Sequence, residues 1–199
     1  MKQKVFRSTL LVTILILILL INMPFKRKNE SKIFTLPGLP RPIAKEPIII
    51  TSAGQSTDTY IINDISNQLM IRSFFMPQAR DEDINEADTI VFVIGNSSLG
   101  MKLQKINYEE EKMRIESLVK KAKDNNLMIL AIALRGEQSH DNKNEELLRL
   151  ICKNSDYMIG LRKSENENIL IEFSKDFDIP LTLVNKIYDI SEPFASAFR

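Results

Sequence analysis

Cysteine, histidine and tryptophan are almost missing from this 199-residue chain, which has one Cys, one His and no Trp. A single cysteine excludes an internal disulfide framework. Cys152, in the apolar run Leu147-Leu148-Arg149-Leu150-Ile151-Cys152, reads as a small buried hydrophobe. One His with one Cys cannot assemble a zinc or iron–sulfur centre. A Ser–His–Asp hydrolase would have to use His140, the lone histidine. Glycine is also scarce, at six residues, so glycine-rich phosphate loops have little to be built from.

The near-zero net charge of +1 conceals two unlike parts. Residues 1–46 carry nine Lys/Arg against two Asp/Glu, whereas residues 47–199 carry 18 against 24. The acidic C-terminal part, without Trp or a basic stripe, argues against nucleic acid, whose binding rests on phosphate neutralisation. The basic N-terminal part flanks an apolar run and points to a lipid bilayer as a partner.

Residues 1–25 carry that run. Lys2, Lys4 and Arg7 precede residues 10–21, which are apolar except for Thr13, and Pro24 and Lys26-Arg27-Lys28 follow. This is the layout of an export signal. No small-x-small cleavage site follows it, which favours an uncleaved signal anchor over a cleaved signal peptide. The absence of a cysteine near its end excludes a lipoprotein anchor. The expectation is a cell-membrane protein with a single N-terminal anchor and its domain outside the cytoplasm, or a secreted one if the signal is cleaved. Residues 26–46 read as a Pro-rich basic linker, since Pro37, Pro40 and Pro42 favour an extended, semi-rigid chain.

Residues 47–199 alternate apolar runs with amphipathic stretches. Strands are predicted at 47–51, 70–75, 89–95, 127–135, 157–161 and 181–184. Thr89-Ile90-Val91-Phe92-Val93-Ile94 lacks the alternation of a half-exposed strand, so it belongs in a parallel sheet covered on both faces. Helices are predicted at 57–69, 108–123, 143–153, 166–177 and 191–198. The 108–123 helix has Asn107 and Glu110 placed for a capping box and an apolar stripe of Ile115, Leu118, Val119 and Ala122. The expected fold is α/β: a three-layer, doubly wound, mostly parallel six-strand sheet, Rossmann-like or flavodoxin-like.

In such a sheet ligands bind beyond the carboxyl ends of the strands, where strand order reverses. Ile48-Ile49-Ile50-Thr51-Ser52-Ala53-Gly54-Gln55-Ser56 runs from a strand into a small polar loop. Its N–H groups and hydroxyls suit an anion. In a 2-1-3-4-5 order this loop faces Gly95–Gly100; in a 3-2-1-4-5-6 order it faces 135–140. The candidate ligand-binding residues are therefore Thr51, Ser52, Gly54, Gln55, Ser56, Asn96, Ser97 and Ser98, with Arg135 and Lys186 as sources of positive charge.

The stricter motifs fail. A dinucleotide fingerprint needs three glycines, and only Gly54 is present. Gly95–Lys102 nearly spells a P-loop, but Met101 stands where the lysine must be and no helix is expected directly behind it. Leu99 replaces the glycine of a nucleophile elbow. Asp81-Glu82-Asp83-Ile84-Asn85-Glu86 begins like a calcium loop but has Glu86 where glycine is required. These failures leave no cofactor, no metal and no assigned catalytic set.

T-S-A-G-Q-S at 51–56, V-I-G-N-S-S-L-G at 93–100 and I-P-L-T-L-V-N-K-I-Y-D-I-S-E-P at 179–193 resemble an uncharacterised bacterial exported family, the domain of unknown function DUF6305. The resemblance covers about residues 47–194. The family pattern carries a second glycine before the paired serines, where this chain has Asn96. The resemblance implies an exported α/β domain and carries over no catalytic residue. The leading expectation is an extracytoplasmic domain binding a small polar or anionic ligand. The rivals are an exported hydrolase or transferase using the same loops, with His140 as base, and an envelope scaffold that binds another protein.

Overall fold

The computed structural model describes residues 32–134 and 142–199. The N-terminal segment read as an export signal, the first part of the basic stretch, and Arg135 and His140 lie outside the described residues. Among the described residues no helix is long and apolar enough to cross a membrane.

Seven parallel strands form one open sheet: β1 (Ile33–Phe34), β2 (Ile48–Ala53), β3 (Ser73–Phe75), β4 (Thr89–Ile94), β5 (Met128–Ala133), β6 (Tyr157–Leu161) and β7 (Leu181–Val184). They lie in the order β1-β7-β6-β5-β4-β2-β3. Among the described residues six α-helices accompany them: α1 (Thr59–Gln68), α2 (Ser98–Gln104), α3 (Tyr108–Asp124), α4 (Asn142–Cys152), α5 (Glu167–Asp176) and α6 (Ser191–Ser196). Every residue of β2 and β4 is buried. That double burial explains their unbroken apolar runs.

Side chains alternate across the pleat into two cores. Ile49, Ile90, Phe92 and Ile94 pack with Ile115 and Leu118 of α3, Leu147 and Ile151 of α4, and Leu170 and Phe173 of α5. Ile48, Ile50, Val91 and Val93 face the other way, onto Ile62 and Ile65 of α1 and Phe194 of α6. The α/β class and three-layer build are as expected, in the flavodoxin-like variant: β2 and β4 are neighbours, with β3 outside β2. The sheet reverses its winding between β2 and β4, and both strands deliver their loops there.

Two expectations are corrected. The sheet has seven strands rather than six, because β1 comes from the Pro-rich stretch assigned to a linker. Ile33 pairs with Leu181 and Phe34 with Thr182. The following residues cross the α6 side: Leu39 N–H donates to Ser196 Oγ at 2.9 Å, and the Ile43 and Ala44 amides both donate to the Ala197 carbonyl. Leu39 and Ala44 are buried there. Apolar residues between the prolines found an uncovered sheet face, which a composition reading does not register.

The second correction is α2. It starts at Ser98, directly behind β4, where no helix was expected. Ser97 Oγ caps it by accepting from the Gly100 amide at 3.1 Å. Seven residues with an internal glycine leave too weak a periodic signal. The P-loop reading still fails, because Met101 occupies the lysine position and is buried.

Candidate functional site

The loop after β2 is built by its own close packing. Gly54 adopts φ +97°, and a Cβ there would lie 2.5 Å from the Gly95 carbonyl oxygen. Gln55 follows with φ +61°. The Gly95 amide donates to the Ala53 carbonyl at 2.9 Å and the Ser97 amide to the Gly54 carbonyl at 2.7 Å. A side chain at Gly100 would run into the Gln55 backbone. The two loops therefore meet backbone to backbone, and these glycines serve that approach. Gly54→Ala, forced into a left-handed conformation and against Gly95, is expected to lose more than about 2 kcal/mol of stability in urea unfolding.

Thr51, Ser52 and Gln55 are buried. The Thr51 hydroxyl donates to the Pro77 carbonyl at 3.3 Å, and the Ser52 amide donates to the same carbonyl at 3.1 Å. Ser56 Oγ accepts from the Asp58 amide at 3.2 Å at the entry to α1. Across from it, Asn96 is buried with its amide donating to Asn144 Oδ1 at 3.2 Å, while Ser98 is exposed at the tip. The structure thus brings together the 51–56 and 96–98 candidates. Lys186 is not among them. It follows β7, three strands from β4, roughly 14 Å along the sheet at normal strand spacing. Its ammonium stands 5.3 Å from the Tyr188 ring centroid. Arg135 lies outside the described residues.

What holds the β2 loop is a pair from the first two turns of α3. Glu111 is fully buried, and Arg114 is 14% exposed. Glu111 Oε1 accepts from the Gly54 amide at 2.8 Å and from Arg114 Nη2 at 2.8 Å. Its Oε2 accepts from Gln55 Nε2 at 2.9 Å and from Arg114 Nε at 2.9 Å. Arg114 Nη2 also donates to the Ser52 carbonyl, and Nη1 donates to the Ala79 carbonyl and, at 3.4 Å, to Thr51 Oγ1. A guanidinium has five N–H groups and a carboxylate about four acceptor positions; here each is matched. Burial pushes the Glu111 carboxyl up, but Arg114's hydrogen bonds and charge, the Gly54 amide and the Gln55 amide together outweigh it and hold it below its ordinary value.

The consequence is chemical. The Gly54 amide and the Gln55 side chain, which the loop could offer to an anion, already hold an anion: the carboxylate of Glu111. Glu111 was not among the sequence candidates because three consecutive glutamates at 109–111 look like a solvated first turn. The signal was positional, since Glu111 precedes Ile115, Leu118 and Ala122 on the same buried stripe.

Beside this brace a cleft opens at the carboxyl edge of the sheet, with a volume of about 580 Å³. Arg80, Asp81 and Glu82, from the segment after β3, form one wall. Ile106, Glu110 and Met113 form the other, and Glu111 and Arg114 line it too. Its polar groups are partly engaged: Glu110 closes the capping box with the Asn107 amide at 2.8 Å, and Asp81 accepts from the Ser117 hydroxyl. A second hollow of about 400 Å³ lies on the other side of the same segment, between Tyr60, Met76, Pro77, Gln78 and Gln104. Among the described residues no group of three or more His, Cys, Asp or Glu could hold a metal ion. Asp83, in the stretch that begins like a calcium loop, instead accepts from the Arg80 amide at 2.7 Å.

The family described as a domain of unknown function (DUF6305) matches residues 45–198 of the chain. The chain belongs to the DUF6305 family. No curated protein and no solved structure matches it. The matched DUF6305 region contains β2 to β7, all six helices, the brace and the cleft; β1 and the segment through Ala44 precede it.

Proposed function

We propose that the DUF6305 domain of this chain is held outside the cytoplasm by its N-terminal apolar segment and binds a small polar or anionic ligand at the carboxyl edge of its sheet. The observation that carries the binding reading is the cleft beside the β2/β4 reversal. Its volume of about 580 Å³ is in the range of small-molecule sites, and it sets the apolar side chains of Ile106 and Met113 on one wall against the charged side chains of Arg80, Asp81 and Glu82 on the other. The Glu111–Arg114 brace supports the reading by fixing the loop behind the cleft without leaving a charge uncompensated.

Arg114 has its donors engaged within the protein, so positive charge for an anionic group at the cleft falls to Arg80, an exposed wall residue. Ser56, Ser97 and Ser98 are the less buried hydroxyls of the neighbouring loops. Residues 10–21 with the flanking lysines and arginines support the anchor and the export.

The test is a thermal-shift panel of organic anions, sugars and amino acids on the full chain in mild detergent. A ligand at a hundred times its Kd adds about 2.7 kcal/mol. Ile106→Trp, which fills the cleft from its half-buried wall, is expected to abolish the shift in a chain that circular dichroism shows to be still folded. A shift that survives Ile106→Trp would place the ligand elsewhere. For location, a protease added to intact cells is expected to remove a C-terminal tag; a protected tag would contradict export.

A further inference from the structure

Four large apolar side chains on the helices that begin at the carboxyl edge of the sheet stand largely in water. Leu99 and Leu103 of α2 are 66% and 72% exposed, Met113 of α3 is 60% exposed, and Tyr60 at the start of α1 is 57% exposed. Leu99 and Leu103 are four residues apart, hence on one helical face. Met113 lines the cleft itself, and Tyr60 lines the adjoining hollow together with Gln104 at the end of α2. These are four of the eight large hydrophobics that are exposed among the described residues, and all four sit on helices that follow β2 and β4. Apolar collars of this kind mark interaction surfaces.

The charges around the collar are arranged in two opposed groups. Lys102 and Lys105 are exposed on and just after α2. Asp81, Glu82 and Glu110 border the cleft and outnumber Arg80, the exposed cation on the same rim. Neither lysine has an ion pair with these carboxylates within its own chain. One surface thus presents a basic leucine-bearing ridge next to an acidic hollow with apolar walls. A surface that carries both halves of a complementary pair matches a second copy of itself under two-fold symmetry, where residue i meets j and j meets i. We infer that this edge is a self-association surface, the α2 ridge of each copy lying against the acidic cleft rim of the other. Leu99 and Leu103 then cover the cleft mouth against Met113 and Tyr60. The inference stands on exposure and charge and does not require that the cleft hold a ligand.

The test uses the full chain in mild detergent, with mass from light scattering and sedimentation over a concentration series. The unaltered chain is expected to be dimeric. Leu103→Glu is expected to be monomeric with an unchanged melting temperature, since the side chain is already mostly in water. The decisive comparison pairs two charge reversals. Lys102→Glu with Lys105→Glu makes both halves acidic, and Glu82→Lys weakens the acidic half. Each variant alone is expected to self-associate roughly tenfold or more weakly. An equimolar mixture is expected to associate more tightly than either variant alone, because the unaltered basic ridge of one then meets the unaltered acidic rim of the other. A monomeric native chain, or a dimer indifferent to Leu103→Glu, overturns the inference. A mixture that recovers nothing overturns the pairing of ridge with rim. Each of these outcomes leaves the ligand test of the cleft intact.

Discussion

Replacing Arg114 by methionine is expected to cost about 3–5 kcal/mol of folding stability, the usual penalty for removing one partner of a buried ion pair. The loss is large because Glu111 has no exposure through which water could take Arg114's place. For a chain of this size it lowers the melting temperature by roughly 10 °C or more. The pH dependence should change sign at this site. With Arg114 present, the Glu111 carboxyl lies below its ordinary value of 4.5. Its contribution is then fully present above that value and is lost as pH falls through the lowered one. In Arg114→Met, burial is the largest remaining influence and the folded carboxyl rises above its unfolded value. The folded state then binds the extra proton, so the variant regains stability as pH falls and loses it as pH rises. Removing both charges, Glu111→Leu with Arg114→Met, is expected to be milder than Arg114→Met at neutral pH. No ion is then left buried, although the Gly54 amide and the Gln55 side chain still lose their acceptor. Urea unfolding of the unaltered chain and the two variants between pH 3 and 8 checks both magnitude and sign.

A second large effect is expected at the other end of the domain. A chain beginning at residue 47, just inside the family match, lacks β1 and the segment that crosses α6. It loses the buried Leu39 and Ala44 side chains, the β1–β7 pairing and the bonds to Ser196 and Ala197. A fully buried leucine alone contributes about 1.5–3 kcal/mol, so a total loss above about 3 kcal/mol is expected relative to a chain beginning at residue 32. The damage should centre on α6 and on the buried Tyr157, whose hydroxyl donates to Thr182 Oγ1 at 2.6 Å on that side of the sheet. Hydrogen exchange on the two chains reads this directly: amides of α6 and β7 are expected to lose protection first, while those of β2 and β4 keep theirs. Equal stability of the two chains would show that residues 32–46 merely rest on the domain.

The elements readable in the sequence were those whose cause is local. β2 and β4 announce themselves by apolar runs, and α3 by a capping box that forms in both directions, with the Glu110 amide 2.9 Å from Asn107 Oδ1. The juxtaposition of the 51–56 and 95–100 loops was readable once a strand order was assumed, and the 2-1-3-4-5 order is the one adopted. What was hidden is non-local. β1 is two residues long and exists because β7 offers an open edge. Glu111 is charged by composition and buried by position, and its reason lies 57 residues earlier at the Gly54 amide. One cleft wall comes from the stretch after β3, where weak periodicity and a proline concealed Arg80–Glu82 as a wall. Sequence spacing located the sheet edge where the 51–56 and 95–100 loops meet, but not that the first loop was already filled by the protein's own carboxylate.

The central claim is that the cleft between Arg80–Glu82 and α3 holds a small molecule. Native mass spectrometry of the full chain, purified without added ligands and released from detergent, tests it without a guess about chemistry. The account predicts a discrete small-molecule mass excess in the native chain that disappears in Ile106→Trp. A bare chain mass in both proteins, together with no thermal shift across the panel, would contradict it.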